Sequence, residues 1–174
     1  MSVDQARTGA FSLRWDLVGH GWARCRLVDD SNSASLVISY CTDALADLVA
    51  ATAGLYGQGR SSRFFFDAEP QEFRWVLGQG DGTIGVTVYE FPDVAVSPDL
   101  PDTDGTVIWK STYPRRAFSH AVLDAAQNVL SEHGEAGYRA QWGLHPFPVG
   151  LVQDLRRLHL RDDGCDLPHD LARP

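Results

Sequence analysis

Hydrophobic and polar positions alternate with a period of two along the first quarter of the chain, which predicts β-strands. Residues 11–17 alternate, residues 19–21 interrupt the pattern as a turn, and residues 22–28 resume it. A third alternating run covers residues 35–40. Because the connections are too short for parallel crossovers, these runs predict an antiparallel meander.

The pattern then changes to a helical period. Thr42 is suited to cap a helix N-terminus, and the apolar residues after it recur at three- and four-residue spacing. This apolar stripe consists of Leu45, Leu48, Val49, Thr52 and Tyr56. Glycines at 54, 57 and 59 predict the end of the helix.

Four more strands are predicted after this helix. They cover residues 63–67, 72–77, 84–88 and 107–113. Asp81-Gly82 is a typical two-residue hairpin turn between the second and the third of these strands. The segment 91–105 contains three prolines, which exclude a regular element there.

The last part of the chain is predicted to be helical. A helix begins near Pro114 and ends near Gly134, and a short helical turn covers residues 138–142. Residues 144–148 form a loop with two prolines, and residues 149–160 form a short amphipathic helix.

These elements predict an α+β fold, in the order βββαββββα plus short C-terminal helices. We expect a largely antiparallel, curved sheet of about seven strands, open rather than closed, with the two main helices on one face. Residues 1–10 are expected to form a flexible lead-in, residues 11–160 a single domain, and residues 161–174 a disordered acidic tail.

Net charge, cysteine count and the length of apolar runs disfavour several classes of function. The 174 residues carry a formal net charge of −8, which disfavours nucleic-acid binding and steers a basic partner inward. The three cysteines form no CxxC pair, which argues against a disulfide framework and a structural zinc site. With no signal-peptide pattern and no apolar run of membrane-spanning length, the chain is expected to be cytoplasmic and not membrane-bound.

No catalytic constellation is recognisable, so we predict no catalytic residue and no cofactor. His120 and Asp124 have the spacing of an exposed pair on a helix, without a nucleophile motif beside them. The glycine-rich residues 78–82 precede a strand, as in a hairpin, and lack the lysine and helix of a phosphate-binding loop. His20, between two glycines, is expected to be exposed on a tight turn.

The C-terminal segment is rich in potential metal ligands. These are Asp162, Asp163, Cys165, Asp166, His169 and Asp170. Their spacing matches no metal-binding loop, and few apolar residues accompany them to hold a geometry. We therefore assign no metal site to this segment.

The polar phases of several strands carry arginine together with aromatic residues. The predicted binding residues are Arg14, Trp22, Arg24, Arg26, Arg63 and Arg74. Phe65 shares the phase of Arg63, so arginine and aromatic side chains mix on one face, as at many protein interfaces. Three interpretations stay open: an exposed face with salt bridges, a surface for a partner or for self-association, and a site for an anionic ligand.

A second candidate lies in the aromatic loop near the C-terminus. Tyr138, Trp142, His145 and Phe147 either plug one end of the core or line a ligand pocket between sheet and helices.

Three segments carry a resemblance to known proteins. They are residues 19–23 (GHGWA), residues 40–48, and the pattern Y-x3-W-x2-HPFP that begins at Tyr138. Together they resemble small uncharacterised α+β proteins from GC-rich bacterial genomes. In size, charge and fold class the chain also resembles acidic immunity proteins of bacterial toxin systems, which implies a cytoplasmic, non-enzymatic domain that binds and blocks a toxin.

The leading hypothesis is thus a non-enzymatic, cytoplasmic protein-binding domain of the immunity-protein type. One alternative is a small-molecule-binding protein or enzyme with a pocket near Trp142 and His145. Another is a homodimer or larger homo-oligomer with a structural role.

Overall fold

The computed structural model describes residues 10–166, and its elements follow the order that the sequence pattern predicts. The strands are β1 (Ser12–Gly19), β2 (Trp22–Val28), β3 (Ser33–Ser39), β4 (Ser61–Ala68), β5 (Gln71–Gln79), β6 (Thr83–Phe91) and β7 (Thr106–Pro114). The helices are α1 (Ala44–Gly54), α2 (Arg115–Trp142) and α3 (Val149–Asp163). The α+β class is confirmed, and so is the hairpin at Asp81-Gly82, where Gly80 N donates to Thr83 O at 2.9 Å.

The strands form two antiparallel sheets, so the prediction of one seven-stranded sheet is wrong. Sheet A has the order β1-β2-β3, and sheet B has the order β4-β5-β6-β7. Alternation along each strand buries one face of sheet A, where Ala23, Cys25 and Leu27 of β2 are fully buried. The inner faces of both sheets contribute to a common hydrophobic core with the helices.

The separation of the sheets has a local cause at the β3–β4 junction. Ser39 Oγ donates to Asp67 O at 3.1 Å, and Thr42 Oγ1 accepts from Asp67 N at 3.5 Å. In a continuous sheet, backbone hydrogen bonds would join the neighbouring strands at this position. Here side-chain hydrogen bonds take their place. Polar side chains thus join β4 to the segment that ends β3 and leads into α1.

On the opposite side, aromatic residues connect the two sheets. Phe11, just before β1, stacks on Tyr113 of β7 with ring centroids 4.3 Å apart. The Tyr113 hydroxyl donates to Asp29 Oδ2, beyond the end of β2, at 2.7 Å. Contacts around Tyr113 therefore also join sheets A and B.

The helices complete the layer around the core. α2 packs along β1, α1 packs against β4, and α3 contacts both α1 and α2. α2 is interrupted at Gly134, whose φ of 65° is left-handed, so the predicted stop and the separate turn at 138–142 are both recognisable within one helical run. No helix within residues 10–166 is long and apolar enough to cross a membrane.

Order at the C-terminus extends past the predicted domain boundary at residue 160. Residues 161–163 form the last turn of α3, and Cys165 is 8% exposed. Residues 167–174 lie outside the described part of the chain, as do residues 1–9.

The turn between β1 and β2 supplies a test of local packing. Gly19 and Gly21 have φ values of 92° and 80°, but a Cβ on Gly21 meets Tyr40 Cδ1 at 2.4 Å, whereas one on Gly19 meets nothing within 4 Å. Gly19→Ala is expected to carry only backbone strain, about 1–2 kcal/mol. Gly21→Ala is expected to destabilise by about 1–2 kcal/mol more, since the Tyr40 ring must move. Urea denaturation of both variants measures the difference, and equal losses would contradict the steric argument.

Candidate functional site

Four predicted binding residues lie together on the outer face of sheet A. Arg14 of β1 is directly opposite Arg26 of β2, and Arg24 is opposite Asp16. Trp22 begins β2 in the same phase and is half-buried. We call Arg14, Trp22, Arg24 and Arg26 the sheet A arginine face.

This face carries more positive than negative charge. Arg14 Nε donates to Asp16 Oδ1 at 2.7 Å, a hydrogen bond that raises the pKa of the guanidinium above its ordinary value. Arg26 Nη2 lies 3.7 Å from the other oxygen of the same carboxylate. Arg24 makes no ion pair within residues 10–166. Two of the three guanidinium groups thus lie within 4 Å of the Asp16 carboxylate, and the charge of Glu132 also acts on Arg14. The chain as a whole has a net charge of −8.

Exposed apolar side chains lie next to these charges. Val37 of β3 is directly opposite Arg24 and is 43% exposed, and Val28 at the end of β2 is 44% exposed. Arginine and tryptophan are enriched at protein interfaces, and the exposed valines add apolar surface beside them.

The other two predicted binding residues do not extend this face, because they belong to sheet B. Arg63 is half exposed and donates through Nε to Asp102 Oδ1 at 2.9 Å. The connection between β6 and β7, here called the irregular segment, contains only two one-turn 3₁₀ helices, Ser97–Asp99 and Asp102–Asp104. Arg74 is 2% exposed, since residues 97–102 of this segment cover the outer side of β5. The single continuous arginine surface expected from strand phase is therefore divided, and Arg74 is not accessible to a partner.

Arg74 is the centre of a buried polar network. Its guanidinium donates to Glu72 Oε1 at 2.7 Å, to Ser97 O at 2.6 Å and to Leu100 O at 2.9 Å. It also donates to Asp102 Oδ1 at 3.1 Å and lies 4.1 Å above the ring of Phe91. The hydroxyl of Ser97 donates to the second oxygen of Glu72. This network attaches the irregular segment to sheet B.

A small cleft lies beside this network. It is lined by Arg63, Phe64, Phe65, Glu72, Arg74 and Pro98. Its volume is about 120 Å³, well below the several hundred Å³ typical of a small-molecule pocket. The cleft therefore does not favour the alternative of an anionic small-molecule site on this face.

The aromatic loop residues fill the end of the core. Tyr138 and Trp142 are fully buried, and Phe147 is 5% exposed. Trp142 makes an edge contact with Trp15, with centroids 6.4 Å apart, and Tyr138 makes one with Phe147 at 5.4 Å. Three of the four proposed pocket residues are thus packed against the core and against one another.

His145, the fourth, lies at the surface of this plug. Its Nε2 is 3.1 Å from Tyr40 O, and its Nδ1 is 3.7 Å from Asp43 Oδ2. These contacts fasten the loop to the start of α1. His20 is exposed on the β1–β2 turn with a φ of 56°, in the conformation expected of a tight turn.

A polar cluster that sequence reasoning missed lies between α1, α2 and α3. Asp163 accepts from Arg115 Nε at 3.0 Å and Nη2 at 2.7 Å, and it also accepts from the Tyr56 hydroxyl. Burial acts to raise the pKa of Asp163, but hydrogen bonds from Tyr56, Arg115 and His159 lower it below its ordinary value. Asp163 is therefore ionised at neutral pH.

His159 links Asp163 to the neighbouring helix. Its Nδ1 lies 2.9 Å from Asp163 Oδ2, and its ring is fully buried, 6.1 Å from the ring of His120. Burial lowers the pKa of His159 below its ordinary value, against the opposing effect of Asp163. The helical spacing of His159 and Asp163 could have indicated this pair, but the assignment of residues 161–174 to a tail concealed it.

The predicted pair of His120 and Asp124 is present, with Nε2 and Oδ2 3.1 Å apart. Its surroundings differ from the expected solvated face, because the other ring nitrogen of His120 lies 3.6 Å from Cys165 Sγ. Cys165 was expected in a disordered tail; His169 and Asp170, from the same segment, lie outside the described residues.

Comparison with protein-family models, with curated proteins and with solved structures finds no match for the chain. The functional argument therefore depends on the geometry of the described residues.

Proposed function

We propose that the chain is a non-enzymatic protein-binding domain that recognises a partner through the sheet A arginine face. The observation that carries the proposal is that Arg14, Arg24 and Arg26 share one sheet face, on which only Arg14 and Arg26 pair with a carboxylate among the described residues. Charges left without an internal counterion are available to an external one, and Arg24 makes no ion pair within the described chain.

The composition of the face supports a protein partner. Arginine and tryptophan are enriched among the residues that contribute most to binding energy. The antiparallel sheet face and the exposed side chain of Val37 suit a broad contact rather than an enclosed ligand.

Charge complementarity indicates the chemistry of the partner's surface. The expectation of a basic partner is based on the net charge of −8, which sets the long-range field of the whole chain. The sheet A arginine face is locally cationic, so the surface that docks on it is acidic. We therefore propose a protein with an acidic contact patch, whatever its net charge.

Size, acidity and α+β class also support the immunity-protein type of function, in which a small domain binds and blocks a toxin. The alternative of a pocket near Trp142 is less favoured because its aromatic residues are packed in the core. Self-association through the same face is the second alternative.

The proposal predicts that Arg24→Gln with Arg26→Gln weakens partner binding at least about tenfold, since close interfacial charge pairs each contribute on the order of 1.5 kcal/mol or more. Glutamine removes the charge without placing a new carboxylate beside Asp16. Affinity capture from a lysate of the native cells, with the tagged full chain as bait, measures the retained protein. The thermal midpoint is expected to stay close to that of the unmodified chain, because Arg26 is exposed and Arg24 makes no ion pair.

A matched control is Arg60→Gln with Arg157→Gln, which removes the same charge from two exposed positions outside sheet A, one just before β4 and one on α3. A salt-sensitive partner retained by the control and lost by the Arg24/Arg26 variant supports the proposal. Equal retention by both variants would rule out this face. Light scattering separates self-association, which requires a dimeric mass that the Arg24/Arg26 substitutions reduce to a monomeric one.

A further inference from the structure

Three potential metal ligands from different parts of the sequence converge between α2 and α3. His120 lies in the second turn of α2, His159 lies one turn before the end of α3, and Cys165 is the second residue after α3. One ligand atom from each residue lies within 4.8 Å of the other two. A histidine–histidine–cysteine set of this kind combines the nitrogen and sulfur ligands that zinc prefers.

The backbone after α3 explains why Cys165 joins the two histidines. Gly164 adopts a left-handed conformation, with φ 56° and ψ 39°, which terminates the helix. The chain then turns back toward α2, and the Cys165 side chain is buried against His120. A glycine at this position permits the turn without strain.

Each histidine is also held by a carboxylate on one ring nitrogen. Asp124 Oδ2 lies 3.1 Å from His120 Nε2, and Asp163 Oδ2 lies 2.9 Å from His159 Nδ1. Metal-binding histidines in proteins are usually oriented in this way, with the second ring nitrogen directed to the metal. Apolar side chains would be enough to pack α2 against α3. The two histidine–carboxylate pairs therefore go beyond what helix packing requires.

Distances within the cluster fit a tetrahedral metal. Zinc bonds of about 2.0 Å to nitrogen and about 2.3 Å to sulfur place ligand atoms about 3.3–3.6 Å apart. His120 Nδ1 and Cys165 Sγ are already 3.6 Å apart, and the widest separation in the set does not exceed 4.8 Å. Any separation at the 4.8 Å limit must shorten by about 1.2–1.5 Å on metal binding.

We propose that His120 Nδ1, His159 Nε2 and Cys165 Sγ bind one divalent transition metal of the zinc class. Asp124 and Asp163 orient the two imidazoles, and Arg115 holds Asp163 through two hydrogen bonds. With three ligands from the described residues, a fourth ligand such as a water molecule completes the tetrahedron. The site joins α2 to the segment after α3, and it is independent of the sheet A arginine face.

Metal binding is tested with the full chain, after chelation and removal of the chelator, by titration with zinc and with cobalt. We expect one ion per chain, and an apparent Kd for zinc at or below about 1 μM. Bound cobalt is expected to give intense visible bands of a tetrahedral site and a thiolate-to-cobalt charge-transfer band in the near ultraviolet. A chain without stoichiometric zinc binding in this range, or a cobalt complex without the thiolate band, would overturn the proposal.

Variants identify the ligands. Cys165→Ser is expected to abolish the thiolate band, and His120→Gln is expected to weaken zinc binding at least about 100-fold, since loss of an orienting partner alone costs about 10- to 100-fold. Asp124→Asn, at a partly exposed position, is expected to retain one ion per chain with about tenfold weaker binding. Cys41→Ser and His20→Gln, at exposed positions, are the matched controls and are expected to leave affinity and spectrum unchanged.

A persistent thiolate band in Cys165→Ser, or its loss in Cys41→Ser, would assign the metal to other residues and overturn the site. If Cys165→Ser does not fold, the cobalt spectrum of the unmodified chain and the Asp124→Asn affinity decide the question.

Discussion

Replacing Arg74 with methionine is expected to lower the free energy of unfolding by about 3–5 kcal/mol, because it leaves the buried carboxylate of Glu72 without its counterion. Arg74 and Glu72 are each 2% exposed, so water cannot replace the lost guanidinium. The substitution also removes the hydrogen bonds to Ser97 O and Leu100 O that hold the irregular segment on sheet B. Urea denaturation monitored by tryptophan fluorescence measures the loss.

Arg63→Met is the matched control, because Arg63 contacts the same Asp102 from a half-exposed position. An exposed ion pair contributes about 0–1 kcal/mol, so this variant is expected to stay within that range. Equal losses in the two variants would mean that burial of the Arg74 network does not govern its contribution.

A double variant separates the uncompensated charge from the lost hydrogen bonds. Glu72→Gln in the Arg74→Met background removes the buried negative charge and is expected to recover about 1–2 kcal/mol. The remaining deficit reports the attachment of the irregular segment. If Glu72→Gln destabilised the Arg74→Met protein further, the carboxylate would not be the source of the loss.

Arg74 also marks the limit of what strand phase can predict. A period of two correctly places Arg63 and Arg74 on the side of their strands opposite the core residue Trp75. Phase contains no information about what covers that side, and the covering segment has no periodicity of its own. Its prolines predicted only that it is irregular, so burial of Arg74 could not be derived.

The division into two sheets could not be predicted from the sequence pattern for a related reason. Alternation predicted each strand, and the Asp81-Gly82 turn predicted the β5–β6 pairing, because a short hairpin fixes its neighbours. The β3–β4 relation spans a whole helix, and its geometry depends on side-chain hydrogen bonds such as that from Ser39 to Asp67. Such tertiary contacts leave no periodic trace in the sequence.

The cluster around His159 could not be predicted from the composition of residues 161–166; only the helical spacing of His159 and Asp163 indicates it. Residues 161–166 are polar, which is typical of a tail, but Asp163 lies one helical turn after His159 and pairs with it. Contact with Arg115 and Tyr56 then orders a segment whose own sequence has little hydrophobic content. These polar residues can be buried because they pair with one another, whereas burial of an isolated charge is strongly unfavourable.

Trp142→Ala is expected to lower the free energy of unfolding by about 3–5 kcal/mol, the range for removal of a large aromatic side chain from a packed core. The Trp142 ring is fully buried between Trp15 of sheet A and Tyr138, so its removal leaves a cavity where the C-terminal end of α2 meets the sheet. Thermal denaturation and urea denaturation measure this loss. Trp142→Phe retains part of the ring and is expected to lose less.

Trp22→Ala is the comparison that distinguishes a tryptophan of the core from a tryptophan of a binding surface. Trp22 is half-buried on the sheet A arginine face, so its removal is expected to change stability by about 1 kcal/mol or less while weakening partner capture. If Trp142 lined a ligand pocket instead of filling the core, Trp142→Ala would remain nearly as stable as the unmodified chain and lose a bound small molecule. Large destabilisation by Trp142→Ala, with near-normal stability of Trp22→Ala, therefore assigns one tryptophan to the core and leaves the other for recognition.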